Sequence, residues 1–190
     1  ASLNTIDYRN RKVILVTSHR RENLGEPMRN IFTAIKEIVM ANEDIEVVFP
    51  VHLNPKVREL AREVLGGFPR VHLIDPLDYE LFTNLMNKCF LVLTDSGGIQ
   101  EEAPALGKPV LVLRETTERP EAIQAGTVKL VGTNKDIIVN ETNLLLRDFK
   151  EYRKMANAVN PYGDGRASDR ILQAVLKYFS LTDRLVEEFL

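Results

Sequence analysis

The sequence predicts a three-layer α/β domain, with a parallel six-stranded sheet held between two layers of helices. Three observations carry that prediction. The apolar runs are short and continuous, as in VILVT (13–17), FLVLT (90–94) and PVLVL (109–113), which is how strands buried on both faces read. Segments of helical period separate them, so right-handed crossovers and parallel pairing follow. The chain has 190 residues, of which 44% are hydrophobic and 27% charged, a globular profile with room for one substantial domain.

In chain order, VILVT is the first strand. PMRNIFTAIKEIVMA (27–41) sets Met28, Ile31, Ile35, Ile38 and Val39 on one helical stripe. Pro27 suits its first turn, where a missing N–H costs nothing. IEVVFPV (45–51) is the second strand, and PKVRELAREVLGG (55–67) is a helix closed by glycine. VHLI (71–74), a helix over 78–88, FLVLT, a helix over 98–106, PVLVL and TVKLV (127–131) bring the strands to six. Helices over 134–145, 148–157 and 167–179 complete a domain spanning 1–180. A Rossmann-like strand order of 3-2-1-4-5-6 is expected. The tail LTDRLVEEFL (181–190) differs: Leu181, Leu185, Val186 and Phe189 form an apolar stripe. It predicts a short terminal helix that needs a partner surface.

The formal net charge is −2, so no basic excess advertises a nucleic-acid surface. No apolar run approaches the ~20 residues that span a bilayer. The opening ASLNTIDYRNRKVILV has no cationic segment leading into an apolar core, so no signal peptide is visible. With Cys89 as the single cysteine, no intramolecular disulfide is possible, and a reducing cytoplasm is the expected location. Cys89 reads as a small core residue, and His72, inside a strand, as structural.

Open parallel sheets bind ligands beyond the carboxyl ends of the strands, where the strand order reverses. Strands 1 and 4 flank that point. The loops that follow them are SHRRENLGEP (18–27) and DSGGIQEEA (95–103). Gly97 and Gly98 open a helix. Glycine lets an anion approach the backbone, and the helix start offers free N–H groups and a positive dipole. Ser96 adds a hydroxyl, so the segment suits a phosphate or diphosphate. Glu102 falls one turn after Gly98, where a carboxylate can accept from ribose hydroxyls, while Glu101 is turned about 100° away. A plain helix cap with solvated glutamates fits the same residues. His19 and Arg20 can bind or protonate an anionic leaving group, or lie in a solvated basic loop. His52, in FPVHLNP, ends strand 2 beside the same mouth or bonds to nearby backbone. RETTERPEA (114–122) follows strand 5 and also fits a salt-bridged surface loop.

TSHRREN, PVHLNP, DPLDYELF, TDSGGIQEEAPALGKPVL, RETTERPEA and NPYGDGRASDRIL together resemble the C-terminal half of the non-hydrolysing UDP-N-acetylglucosamine 2-epimerases. The likeness runs over roughly residues 10 to 180. It implies the C-terminal domain of a GT-B fold, in which two Rossmann-like domains enclose the active site. It implies that His19 assists departure and return of UDP, that Ser96, Gly97 and Gly98 hold phosphate, and that Glu102 holds the ribose. Leu77 and Phe82 would border the uracil, and Arg119 would reach the substrate. Arg20 and His52 match positions that hold a second, activating UDP-N-acetylglucosamine. The family's reaction interconverts UDP-N-acetylglucosamine and UDP-N-acetylmannosamine for polysaccharide synthesis, with no nicotinamide and no obligatory metal. Family chains are about twice as long. The acidic residues that move the sugar C2 proton lie in an N-terminal domain that this chain lacks, and the tail helix would cross to that domain. The resemblance implies a cytoplasmic homodimer as the full-length protein, with no nucleic acid or membrane partner, and a fragment inactive alone. Two other classes stay open: another GT-B enzyme, whether glycosyltransferase or hydrolysing epimerase, and a non-catalytic UDP-sugar-binding domain. Glu115, Glu118 and Glu121 are expected to orient Arg114 and Arg119.

Overall fold

A computed structural model describes residues 6–186. Six parallel strands, β1 (Lys12–Thr17), β2 (Ile45–Pro50), β3 (Val71–Ile74), β4 (Leu91–Thr94), β5 (Val110–Val112) and β6 (Val128–Leu130), form one sheet. Their order is β3-β2-β1-β4-β5-β6, as expected. β1 lies at the centre: Ile14 pairs with Val47 of β2 on one side and with Leu91 of β4 on the other.

The period-two geometry of a strand sends alternate side chains to opposite faces, and here both faces are dry. Ile14, Val16, Val47, Phe49, Leu91 and Leu93 meet the apolar stripes of three helices: α1 (Glu26–Ala41), α2 (Pro55–Leu65) and α6 (Lys135–Arg147). Val13, Leu15, Val48, Val92, Val110 and Val112 pack on the other face. That face is covered by α3 (Tyr79–Lys88), α4 (Gly97–Ala105) and α5 (Pro120–Ala125). Phe32 of α1 and Phe49 of β2 meet edge to face at 5.4 Å. Each such side chain is fully buried, which stabilises by about 1.5–3 kcal/mol relative to exposure.

Local chemistry sets the helix ends. Asn54, Asp78, Asn134 and Asp148 each accept backbone N–H bonds as N-caps. Asp148 both ends α6 and caps α7 (Phe149–Ala156). Cys89 is buried, and burial pushes its thiol up to about 12, so it is a core residue. His72 Nε2 lies 2.9 Å from Glu46 Oε2 in a pair that also takes Arg11, which accounts for it structurally.

Two regions depart from the sequence expectation. RETTERPEA is not wholly a loop: Pro120 starts α5, and Gly126, at φ +77°, closes it in the left-handed conformation that glycine tolerates. At six residues the helix is too short to show a period. The tail is the second. After α8 (Ala167–Tyr178), residues 181–186 carry no helix, and Leu181 and Leu185 are exposed. Arg184, Leu185 and Val186 lie across a shallow cleft from Asp169, Arg170 and Gln173 of α8, and so short a segment does not sustain helix in water by itself. Phe189 and the end of the expected tail helix lie outside the described residues. Among the described residues no helix is long and apolar enough to cross a membrane.

Candidate functional site

The loops after β1, β4 and β5 converge at the carboxyl end of the sheet. Thr17 and Thr94, the last residues of β1 and β4, join through their hydroxyls at 2.6 Å. Beyond them stands Asp95, whose carboxylate is fully buried. It accepts from the backbone N–H of His19 at 2.9 Å and of Arg20 at 2.9 Å, from the Ser18 hydroxyl at 3.1 Å and from Asn23 Nδ2 at 3.1 Å. Asn23, in the 3₁₀ turn Arg21–Asn23, also donates to the Leu113 carbonyl at 3.1 Å. The backbones of His19 and Arg20 are thereby held at the switch point, and the Arg20 guanidinium lies beside Gly97 at the start of α4.

His19 does not stand alone. Its ring centroid is 5.2 Å from that of His52, which projects from the end of β2. His52 Nδ1 accepts the backbone N–H of Asn54 at 3.1 Å. That bond orients the ring, and it makes the ordinary loop-histidine role and the site position compatible. Arg20 Nε donates to the Asp95 carbonyl at 3.2 Å, and its Nη2 lies 3.4 Å from Glu118 Oε1.

Ser96 is the N-cap position of α4, but its hydroxyl makes no capping bond. That leaves the hydroxyl available at the mouth. Gly97 is buried and Gly98 exposed. A Cβ on Gly97 would stand 2.6 Å from Glu118 Oε1, so the Glu118 carboxylate sits against the first turn of α4. A Cβ on Gly98 would stand 3.8 Å from Glu102 Oε1. Glu102 therefore shares the Gly98 face, as the spacing of the two residues predicted. Leu77 and Phe82 are half-buried against the cluster beneath α3 and α4, on the same side of the sheet as Ile99.

The carboxylates divide differently from expectation. Glu118 pairs with Arg114 and Arg20. Its own backbone N–H, then Arg114 and Arg20, hold its pKa below the usual carboxylate range. Arg114 also pairs with Glu22 at 2.8 Å. Arg119 pairs with Glu101, the residue whose rotation away from Glu102 pointed elsewhere, and that carboxylate raises the Arg119 pKa. Glu115 instead accepts from the Thr133 backbone N–H at 3.1 Å, and Glu121 reaches the Tyr162 hydroxyl at 3.5 Å. Neither orients an arginine. Thr117 donates to Gln100 at 2.6 Å and locks the Arg114–Arg119 loop onto α4. The roles of Asp95, Asn23 and Gln100 were missed from sequence. The one available signal was an acid placed directly after a buried strand, which is costly unless several donors meet it.

The mouth thus presents His19, Arg20 and His52 on one side and a glycine-opened helix with Glu102 on the other. The family model described as UDP-N-acetylglucosamine 2-epimerase matches residues 1–176. The UDP-N-acetylglucosamine 2-epimerase of Bacillus subtilis is 56% identical over 178 residues, 94% of this chain and 47% of that protein. The structure of the S. aureus MnaA–UDP complex superposes with a TM-score of 0.90 at 49% identity, covering 96% of this chain and 50% of that one. The Neisseria meningitidis UDP-GlcNAc 2-epimerase bound to UDP-GlcNAc superposes with a TM-score of 0.87 at 51% identity, covering 92% and 47%. The chain therefore spans about half the length of these relatives. The shared fold is that of the C-terminal half of the two-domain GT-B architecture. With a family model matching from residue 1 to 176 and these strand-end loops in place, the chain belongs to the UDP-N-acetylglucosamine 2-epimerase family.

Proposed function

We propose that this chain is the nucleotide-binding half of an enzyme that interconverts UDP-N-acetylglucosamine and UDP-N-acetylmannosamine. The observation that carries the reading is the meeting of the β1 and β4 loops, with Glu102 one turn below Gly98 at the start of α4. The solved relatives bound to UDP and to UDP-GlcNAc support the ligand class. In this reading the Ser96 hydroxyl and the first turn of α4 take the diphosphate, and Glu102 accepts from the ribose hydroxyls. Leu77 and Phe82 border the uracil, and Arg119 reaches the substrate once it leaves Glu101. Arg20 and His52 hold an activating second nucleotide sugar, next to His19.

Inversion at C2 breaks a bond to a weakly acidic proton. Elimination of UDP, followed by its re-addition after the proton returns on the other face, is the route the family resemblance implies. The residues of this half act on the leaving group. His19 and the helix start stabilise the charge that grows on the departing diphosphate, a contribution typically worth about 3–4 kcal/mol. A group on each face of C2 must lie within about 3 Å of the moving proton. Those groups belong to the N-terminal domain of the proposed two-domain protein, a cytoplasmic homodimer.

The test is twofold. UDP binding to this chain is measured by calorimetry, and epimerisation by the protein that carries both halves is followed by proton NMR. Saturable UDP binding together with appearance of the manno epimer is expected. UDP binding without epimerisation would favour a nucleotide-sugar-binding domain, and no UDP binding would overturn the reading.

A further inference from the structure

We infer that Asp95 is a positioning residue for His19 and Arg20, an inference that rests on the catalytic reading of His19 given above. Asp95 does not itself line the mouth: it is fully buried. Its effect is exerted through what it holds. One oxygen, Oδ2, accepts from His19 N, Arg20 N, Ser18 Oγ and Asn23 Nδ2, and Oδ1 lies 3.2 Å from His19 N. The Asp95 carbonyl accepts Arg20 Nε at 3.2 Å. Arg20 is therefore gripped at both its backbone and its guanidinium by one residue.

The choice of acid follows from the donor count. A buried oxygen facing four donors needs an acceptor with spare lone pairs and no hydrogen of its own, which is what a carboxylate supplies. An amide has only one oxygen and would turn its NH2 group toward backbone N–H groups. Asp95 itself is fixed independently, because its N–H donates to the Thr17 carbonyl at 3.2 Å. The next residue, Ser96, opens the proposed phosphate seat. Asn23 extends the same carboxylate to the Leu113 carbonyl after β5. One side chain thus ties the ends of β1, β4 and β5 and fixes where the backbone that carries His19 stands relative to the end of β4. A shift of about 1 Å at a reacting group can cost on the order of a hundredfold in rate, so this placement matters to turnover.

The test is a double-mutant cycle in the protein that carries both halves, using wild type, Asp95→Asn, His19→Ala and the pair. Asp95→Asn is expected to lower kcat by about a hundredfold with KM changed less than about threefold, since the carboxylate itself bonds only to residues 18–23 and to none of Ser96, Gly98 or Glu102. In the His19→Ala background the same substitution should lower kcat by no more than about twofold, because there is no imidazole left to misplace. A loss that multiplies in full on the His19→Ala background would overturn the inference and leave Asp95 a general staple. If Asp95→Asn does not fold, Asn23→Ala removes one donor to Asp95, with its bond to the Leu113 carbonyl, without reversing any. A roughly fivefold kcat loss that vanishes in the His19→Ala background is then expected. A wild-type protein that binds UDP but does not turn over would contradict the catalytic reading rather than the grip itself. Hydrogen–deuterium exchange over residues 18–23 of this chain then decides: the His19 and Arg20 amides should exchange at least about tenfold faster in Asn23→Ala, and unchanged exchange would overturn the positioning.

Discussion

At the carboxyl ends of β1, β4 and β5, the buried polar side chains find partners within the chain. Asp95 gathers four donors, Glu118 takes two arginines, and Gln100 takes Thr117. α8 is the opposite. No residue of it is buried, and Ile171, Leu172, Val175 and Tyr178 are 63%, 54%, 48% and 82% exposed. They recur at helical spacing, so they form an apolar face, which water alone does not favour. The buried polar contacts of the first region close among the described residues. The second is written for a surface that the described residues do not supply.

If the comparison is right, binding and turnover separate cleanly. The largest effect expected is in catalysis. This chain alone should incorporate no deuterium at C2 of UDP-N-acetylglucosamine in D2O, whereas the protein with both halves should. Exchange above a no-protein control would mean that the proton-transferring groups lie among these 190 residues. Next in size is His19→Ala in the two-domain protein, expected to raise the barrier by about 3–4 kcal/mol. Steady-state kinetics checks it, and a loss below tenfold would remove His19 from leaving-group stabilisation. Smaller again is Glu102→Gln, which should weaken UDP binding to this chain by about 1–3 kcal/mol if the ribose bonds form. Equal calorimetric affinities would take Glu102 out of the site. The smallest effect belongs to α8. Ending the chain before residue 167 should change its unfolding free energy by less than about 1 kcal/mol, since little buried surface is lost. A drop of several kcal/mol in chemical denaturation would show that α8 packs on this domain.

Sequence made the architecture legible because a doubly covered parallel sheet leaves a strong mark. Runs such as VILVT and FLVLT are apolar up to a terminal threonine and do not alternate as an edge strand would, and the strand order was the one a Rossmann-like sheet has. The positions of Gly98 and Glu102 on one helix face were legible for the same reason, since helix geometry is local. The pairings across the mouth were not. Glu118 and Arg20 lie far apart in the chain, and nothing in RETTERPEA says which glutamate will meet which arginine. Long-range polar contacts depend on how loops close over the sheet. Asp95 shows the limit well: its burial was readable from the strand before it, but its donors come from residues 18 to 23, on the other side of the switch point.

The central place of β1 has a consequence for how the chain is made. Of these six strands β1 is synthesised first, and one of its two neighbours, β2, follows soon after. The other is β4, and Ile14 must wait for Leu91. Until then, β1, β2 and β3 can associate, but one side of VILVT exposes bare backbone N–H and C=O groups beside a row of branched apolar side chains. Such an edge is a template for pairing with another chain. Non-local parallel pairing is also slow, because loop entropy is lost before contacts repay it. The interval between emergence of residue 17 and residue 94 is therefore the period of greatest exposure to misassociation. A strand that is the best protected in the finished fold is the most vulnerable one during its birth.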